Sequence, residues 1–279
     1  RRHHRDFREV IPNTTAGDAL DQKRPCQTED KIQSWTEKIM NLIPIRSAIC
    51  SVTDKTGLDE LAGVLNEFGC SLYASGGTKR HLLEKEIPIQ SVSDLTHFPE
   101  ILDGRVKTLH PGIHAGLLAR RADPSHLAQM KEHGLQTIDM LIVNLYPFAQ
   151  TLEKAGRTIA DAIENIDIGG PAMIRAASKN FQFVAVVTDP LDYPEIIREL
   201  KDTGGALSLM TRLRLVRKAF DLTARYDRMI EGFLQTVVSE KEQLKEVPDN
   251  ASFPERLPTA MGKITSLRYG ENPHQKAAL

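Results

Sequence analysis

Five short motifs carry most of the groups in this chain that could do chemistry: Ser51-Val52-Thr53-Asp54-Lys55-Thr56-Gly57, Ser75-Gly76-Gly77-Thr78, Arg105-Val106-Lys107-Thr108-Leu109-His110-Pro111, Asn144-Leu145-Tyr146-Pro147 and Asp167-Ile168-Gly169-Gly170. Each follows or interrupts an apolar run. The first two place hydroxyls, backbone amides and a lysine where a strand hands over to a helix, and a helix N-terminus favours anions through its free N–H groups and its dipole. They read as a phosphate cradle. The later three add Lys107, His110, Tyr146 and Asp167, with Lys179 close behind, and these are groups that transfer protons as well as bind. A phosphorylated substrate undergoing acid–base chemistry is the first expectation.

Each motif also has a plain structural reading. The Gly76-Gly77 pair could be a turn that tolerates positive φ, and Lys55 a solvated surface lysine. Arg105-Val106-Lys107-Thr108 places two cations and a hydroxyl in a loop, where arginine can fork onto phosphate and lysine offers a point charge, or where the pair could simply form loop salt bridges. His110, ahead of Pro111, reads as a local hydrogen-bonding residue and stays outside the assignment. Tyr146 could cap the sheet as a half-buried aromatic, Asp167 could start a helix, and Lys179 could sit at that helix's C-terminus. Together, those readings need five unrelated coincidences.

Composition narrows the class. The 279 residues are 41% apolar and 26% charged, with 36 basic against 37 acidic side chains, as in an ordinary globular protein of one or two domains. Near-zero net charge argues against a general nucleic-acid binder, which needs clustered cations to displace counterions. Cys26, Cys50 and Cys70 lack metal-ligand spacing and read as reduced thiols of a cytoplasmic protein. Apolar runs fall far short of the ~20 residues that span a bilayer, so no membrane partner is expected. The first residues are Arg-rich but also contain Asp6, Glu9, Asp18, Asp21, Glu29 and Asp30, unlike an organelle transit peptide.

The elements that must position the motifs follow from periodicity. Residues 1–41 read as a weakly ordered extension, with room for a short helix around Lys31 to Leu42. From Ile43 short β-rich runs alternate with helical stripes, the rhythm of βαβ units around a mostly parallel sheet. Strands are expected at Ile45 to Val52, Cys70 to Ala74, near Ile89 to Val92, at His114 to Arg120, Ile138 to Leu145 and Phe183 to Thr188. Helices are expected at Gly57 to Phe68, Thr78 to Glu86, Ser125 to His133, Thr158 to Asn165, Pro171 to Ser178, Tyr193 to Thr203 and Ser208 to Phe233. The last carries Leu209, Leu213, Val216, Ala219, Phe220, Thr223 and Met229 on one side. Residues 94–113 are irregular, and a long loop inside an α/β domain is usually functional. Residues 237–262 are charged and proline-containing and read as a linker.

These motifs, with Ala176-Ala177-Ser178-Lys179-Asn180, closely resemble in order and spacing the inosine monophosphate (IMP) cyclohydrolase domain of the bifunctional purine-biosynthesis enzymes. The second half of those enzymes is aminoimidazole carboxamide ribonucleotide (AICAR) formyltransferase. The resemblance covers about Ile45 to Leu234, and residues 267–275 resemble the segment that opens the formyltransferase domain. It implies an extension at 1–41, a cyclohydrolase domain at 42–236, a linker at 237–262 and the start of a truncated formyltransferase domain at 263–279. The implied fold is α/β: a methylglyoxal-synthase-like three-layer fold with a mostly parallel sheet, followed by C-terminal helices and the linker. It also implies a ribonucleotide substrate, a cytoplasmic homodimer, and no metal or organic cofactor for ring closure, with 10-formyltetrahydrofolate serving only the formyltransferase.

Carried over position by position, the resemblance makes Ser51, Thr53, Asp54 and Lys55 one nucleotide-binding turn and Ser75, Gly76, Gly77 and Thr78 a second. Arg105, Val106, Lys107 and Thr108 become a closing loop, Val143 and Asn144 a base-side contact, and Asp167, Ile168 and Gly169 the next contact. Lys179 takes the position of proton donor and acceptor, with Lys107, Tyr146 and Asp167 beside it. Arg268 and Tyr269 match residues that hold AICAR in the formyltransferase site, whose Lys-His pair is expected downstream of Leu279.

The implied reaction suits these groups. In 5-formamidoimidazole-4-carboxamide ribonucleotide (FAICAR) the carboxamide nitrogen attacks the formyl carbon, and the carbinolamine then loses water. Both reactants belong to one molecule, so holding them face to face can remove ~7 to 11 kcal/mol of barrier in favourable cases. On this expectation Lys107 and the amides near Gly169 stabilise the formyl oxygen, Asp167 takes the amide proton, and Lys179 with Tyr146 protonates the departing hydroxyl. Two relatives of the same fold compete: a regulatory nucleotide-binding domain without catalysis, like the effector domain of carbamoyl phosphate synthetase, and methylglyoxal synthase, a phosphate-eliminating lyase. Against the first stands the joint presence of Lys107, Tyr146, Asp167 and Lys179. Against the second stand the Arg105 loop and the formyltransferase-like tail.

Overall fold

Apolar runs bounded by turns build one five-stranded sheet whose neighbours all pair in parallel. The computed structural model describes residues 41–240, 242–247, 265–267 and 277–278. In chain order the strands are β1 (Ile43–Pro44), β2 (Ser47–Ser51), β3 (Ser71–Ala74), β4 (Gln90–Ser91), β5 (Met140–Val143), β6 (Ala185–Val187) and β7 (Ala206–Leu207). The parallel sheet runs β4-β3-β2-β5-β6, while β1 and β7 form a separate antiparallel pair. Every residue of β5 and β6 is buried, because parallel strands are covered on both faces and read as unbroken apolar runs.

The first helices are α1 (Leu58–Glu67), α2 (Gly76–Glu84), α3 (Val92–Thr96), α4 (Pro111–Leu118) and α5 (Pro124–Glu132). They are followed by α6 (Phe148–Glu153), α7 (Ile159–Glu164), α8 (Gly169–Lys179), α9 (Tyr193–Thr203) and α10 (Leu209–Gln235). Alternation along the strands separates two cores. Ala48, Cys50, Met140, Ile142, Ala185 and Val187 meet Leu58, Leu61 and Leu65 of α1 and Ile196 and Leu200 of α9. The opposite face is covered by α8, which packs on β5, β6 and α4. Helices therefore sandwich the sheet, the three-layer α/β architecture that the resemblance implies.

The chain builds β2, β3 and β4 outward in one direction and then returns to place β5 on the other side of β2. The order reverses between β2 and β5, where Ser51 pairs with Val143 at the carboxyl ends. Ligands of open α/β sheets bind in the crevice at such a reversal.

Several elements differ from the sequence expectation. Of the strand expected at His114 to Arg120, residues His114 to Leu118 lie in helix α4 and Ala119 and Arg120 follow it. Pro111 at the first turn, the His110 ring accepting from the Gly112 N–H at 3.0 Å, and buried Ile113, Gly116 and Leu117 at helical spacing set that structure. Gly116 is needed there, since a Cβ would lie 2.7 Å from the Gln136 carbonyl oxygen. The irregular stretch 94–113 contains α3, capped reciprocally by Ser91 and Asp94, and a short 3₁₀ turn at Leu102–Gly104. On α10, Phe220 and Met229 face solvent instead of joining the expected stripe, and the buried side carries Arg212, Leu215, Val216, Ala219 and Thr223. Cys50 and Cys70 are buried free thiols, and burial lifts the Cys50 thiol to about 12.

The structure divides into two compact units, one formed by residues up to Pro147 with Asp167–Arg225, the other by Phe148–Ile166 and the residues from Tyr226 onward. Within the second, a hairpin of β8 (Val237–Glu240) and β9 (Gln243–Glu246) lies inside the stretch read as linker. Arg157 forks onto Glu246 with two bonds of 2.8 Å, and its guanidinium lies 5.3 Å from the Phe233 ring centroid. The extension at 1–40, the rest of the expected linker at 248–262, and Arg268 and Tyr269 lie outside the described residues. Among the described residues no helix is long and apolar enough to cross a membrane.

Candidate active site

Four contacts at the carboxyl edge of the sheet join the motifs that are distant in sequence. The first is the Asn144 side chain, which accepts from the Thr53 and Asp54 amides at 2.7 and 3.0 Å and donates to the Asp54 carbonyl at 2.8 Å. It locks the first turn to the end of β5. Within that turn the Asp54 carboxylate accepts from the Thr56 amide and hydroxyl, and these bonds hold it below its ordinary range. Gly57 then takes φ +69 to enter α1.

The second contact joins the two cradle turns. The Thr78 hydroxyl donates to the Val52 carbonyl at 3.0 Å and accepts from the Val52 amide at 3.2 Å. Thr78 is buried, so this hydroxyl staples one turn to the other. Ser75 precedes α2 in extended geometry and makes no side-chain capping bond to the helix.

The third contact brings the closing loop over the second turn. A Cβ on Gly76 would meet the Lys107 ammonium at 3.2 Å, so the amine lies across the first residue of α2. Ammonium and helix N-terminus reinforce one another at one place, the arrangement an anion needs. The loop is itself closed by an antiparallel bridge between Ile101 and Val106 and by the Phe98 ring stacked on His110, centroids 5.9 Å apart. Thr96, Phe98, Ile101, Val106, Lys107, Leu109 and His110 enclose a cavity of about 170 Å³.

The fourth contact carries the loop to α8. A Cβ on Gly169 would lie 2.5 Å from the Thr108 hydroxyl, and one on Gly170 would lie 2.5 Å from the Asp167 carboxylate and 2.7 Å from Leu145. Both glycines are therefore required by close approach, and the segment bearing half-buried Tyr146 is drawn against the start of α8. Asp167 accepts from the Gly170 amide at 2.9 Å. Burial nonetheless lifts its carboxyl above the ordinary value of 3.8, against the opposing pull of that bond. A carboxyl raised by burial beside a helix N-terminus is suited to exchanging protons.

Lys179 is not part of this cluster in one chain. It is the exposed last residue of α8, 11 residues long, so about 15 Å of helix separates it from Gly169 at 1.5 Å per residue. Its neighbour Asn180 donates to the Leu117 and Ala119 carbonyls, fixing that helix end against the end of α4. Within one chain, α8 thus sets Lys179 at the helix end opposite Gly169 and Asp167. Ile168 is exposed, Val143 is buried in the sheet, and the Asn144 amide is committed to the first turn. Arg105 follows the 3₁₀ turn, two residues from Lys107. Sequence reasoning passed over Glu100, whose carboxylate stands 3.3 Å from the Lys107 amine, because no motif includes it.

Comparison with known proteins places this geometry. Residues 57–172 match the family model of the MGS-like domain, and residues 177–279 match that of the AICARFT/IMPCHase bienzyme. Over 234 residues, 84% of the chain, identity is 50% to the bifunctional purine biosynthesis protein PurH of Neisseria meningitidis serogroup A. It is 48% over the same length to that of Polynucleobacter asymbioticus. A solved structure, described as the crystal structure of ForH, superposes with a TM-score of 0.62 at 34% identity, covering 68% of this chain and 97% of that one. The chain belongs to the PurH bifunctional family. It spans 44% of the length of the PurH relatives from both organisms. It is therefore a homologue of bifunctional PurH enzymes and carries an MGS-like α/β domain.

Proposed function

We propose that this chain carries the IMP cyclohydrolase activity of the PurH family, closing FAICAR to inosine monophosphate with loss of water. The observation that supports this reading most is the junction of an anion-binding turn with a half-buried carboxyl. Lys107 lies over Gly76, its neighbour Thr108 touches Gly169, and Asp167 stands at the same helix start. A regulatory site needs only the first half of that arrangement, and the carboxyl at the helix start adds a group able to exchange protons.

In this reading the 5′-phosphate sits on the N-terminus of α2, held by its amides, Lys107 and Arg105. The imidazole then extends along the β2/β5 crevice toward α8. Asp167 takes the proton from the attacking carboxamide nitrogen, and the first-turn dipole of α8 stabilises charge on the formyl oxygen. Tyr146 supplies a proton to the departing hydroxyl. Lys179 takes no part in these transfers within one chain, because α8 holds it at the far end.

Ring closure on this account uses only side chains and amides of the protein, with no metal or organic cofactor. We further propose a cytoplasmic setting, a homodimer in the full-length enzyme, and 10-formyltetrahydrofolate as co-substrate of a formyltransferase site that needs residues beyond this chain. Purified chain given FAICAR should form inosine monophosphate, followed by absorbance, and should not formylate AICAR from 10-formyltetrahydrofolate. Tight binding of inosine monophosphate with no turnover of FAICAR would instead make this a regulatory nucleotide-binding domain.

A further inference from the structure

The loop between Phe98 and His110 folds back on itself through the Ile101–Val106 bridge, with the Val106 amide donating to the Ile101 carbonyl. In an antiparallel pair the next residues outward face one another, and here they are Glu100 and Lys107. Gly104 takes φ +89 at the tip, and a Cβ there would come within 4.0 Å of the Glu100 carboxylate, so that side chain folds inward over its own turn. Its other oxygen lies 3.3 Å from the Lys107 amine. The same amine is the group that lies across Gly76.

The pair contributes little to stability. Both side chains are partly exposed, 26% for Lys107 and 43% for Glu100, and solvent screening leaves ion pairs of that kind little net worth. Its consequence lies in the lysine's freedom. A lysine carries much rotamer entropy on a flexible stem, and one left unrestrained over the α2 turn would lose that freedom only when an anion arrived. A carboxylate fixed on the same hairpin removes the freedom beforehand.

From this geometry we infer that Glu100 is a positioning residue, holding the Lys107 ammonium over the N-terminus of α2 so that a phosphate group arriving there meets a preset cation. The role rests on the reading of that turn as the phosphate site. It makes the Phe98–His110 hairpin a device for aiming one charge, and explains why an acidic side chain stands beside a site for an anion, where its own charge is repulsive.

The test is a double-mutant cycle on the full chain, read as affinity for inorganic phosphate by phosphorus NMR titration, with FAICAR turnover measured separately. Glu100→Gln should weaken phosphate binding about three- to tenfold, the size of a lost side-chain restraint. Glu100→Asp should fall between it and the wild type. In a Lys107→Ala background Glu100→Gln should change nothing further, since its effect passes through that amine. Tighter phosphate binding in Glu100→Gln, an equal loss in the Lys107→Ala background, or no phosphate binding by the wild type would each overturn the inference. Failure to cyclise FAICAR with the coupling intact would leave the positioning role standing and remove the proposed reaction.

Discussion

Asn144 at the end of β5 holds Thr53 at the end of β2 through a 2.7 Å bond from the Thr53 amide to its side-chain oxygen. Further bonds to the Asp54 amide and carbonyl engage the Asn144 oxygen a second time and one of its two N–H groups, so the side chain shapes the turn that other groups use. Asn144→Ala removes all three bonds and should cost about 1 to 3 kcal/mol of stability. The same change should weaken inosine monophosphate binding at least tenfold, a loss of ~1.4 kcal/mol. Calorimetric titration beside urea unfolding checks both. Unchanged affinity would mean that the first turn does not reach the nucleotide.

The close approach of Thr108 to Gly169 gives a second prediction. Gly169→Ala places a methyl 2.5 Å from the Thr108 hydroxyl and should push the 105–108 loop away from α8, lowering turnover. The Thr108 Cβ lies 3.9 Å from the same point, an ordinary contact, so Thr108→Ala relieves the clash. The double variant should regain activity relative to Gly169→Ala alone. A further loss in the double variant would show that the hydroxyl matters more than the spacing.

Asp167 gives a prediction in pH. A carboxyl whose folded pKa lies above its unfolded value favours the fold while protonated; that contribution is complete below its ordinary 3.8 and is lost as pH rises through the lifted folded value. Asp167→Asn keeps an acceptor for the Gly170 amide and has no charge to bury. The variant's melting temperature should therefore match the wild type in acid and exceed it once pH has passed the lifted value, flattening toward neutrality. Melting curves that stay parallel across the pH series would contradict the burial of this group.

Arg212 is the test of packing away from the site. Its guanidinium is 2% exposed and donates to the backbone carbonyls of Phe181, Gln182, Leu207 and Asn41, while burial lowers it to about 10. Arg212→Met fills much of the volume and leaves those carbonyls without a donor, so a loss on the order of 3 kcal/mol is expected in urea unfolding with an unchanged slope. Retained stability would show that water replaces the guanidinium at no cost.

Much of the fold was legible because periodicity and burial agree. Tyr193 to Thr203 reads as a helix from its stripe and is one, and the runs at Met140–Val143 and Ala185–Val187 read as buried strands. The region from Val92 to Leu118 was not: α3 is only five residues long, too short for a stripe although its Ser91–Asp94 cap is a local pattern, and α4 depends on the fit of Gly116 under Gln136, which exists only in three dimensions. The site was legible as motifs but not as an arrangement. Thr78 and Asn144, with binding-type side chains, turn out to staple turns together, and Glu100 belongs to no motif. Lys179 follows Asp167 closely in sequence, yet a straight helix turns that proximity into distance.

The central claim is that the reacting groups converge at the carboxyl edge of the sheet, around Gly76, Lys107 and Asp167, and that within a single chain the far end of α8 is outside the chemistry. Turnover of FAICAR by Asp167→Asn and Lys179→Ala, measured side by side on folded, monomeric protein, tests it most directly. Asp167→Asn should slow turnover by about 10²-fold or more, as loss of a general base does, while Lys179→Ala stays within about threefold of wild type, less than ~0.7 kcal/mol in the barrier. A large loss in Lys179→Ala with Asp167→Asn near wild type would contradict the account.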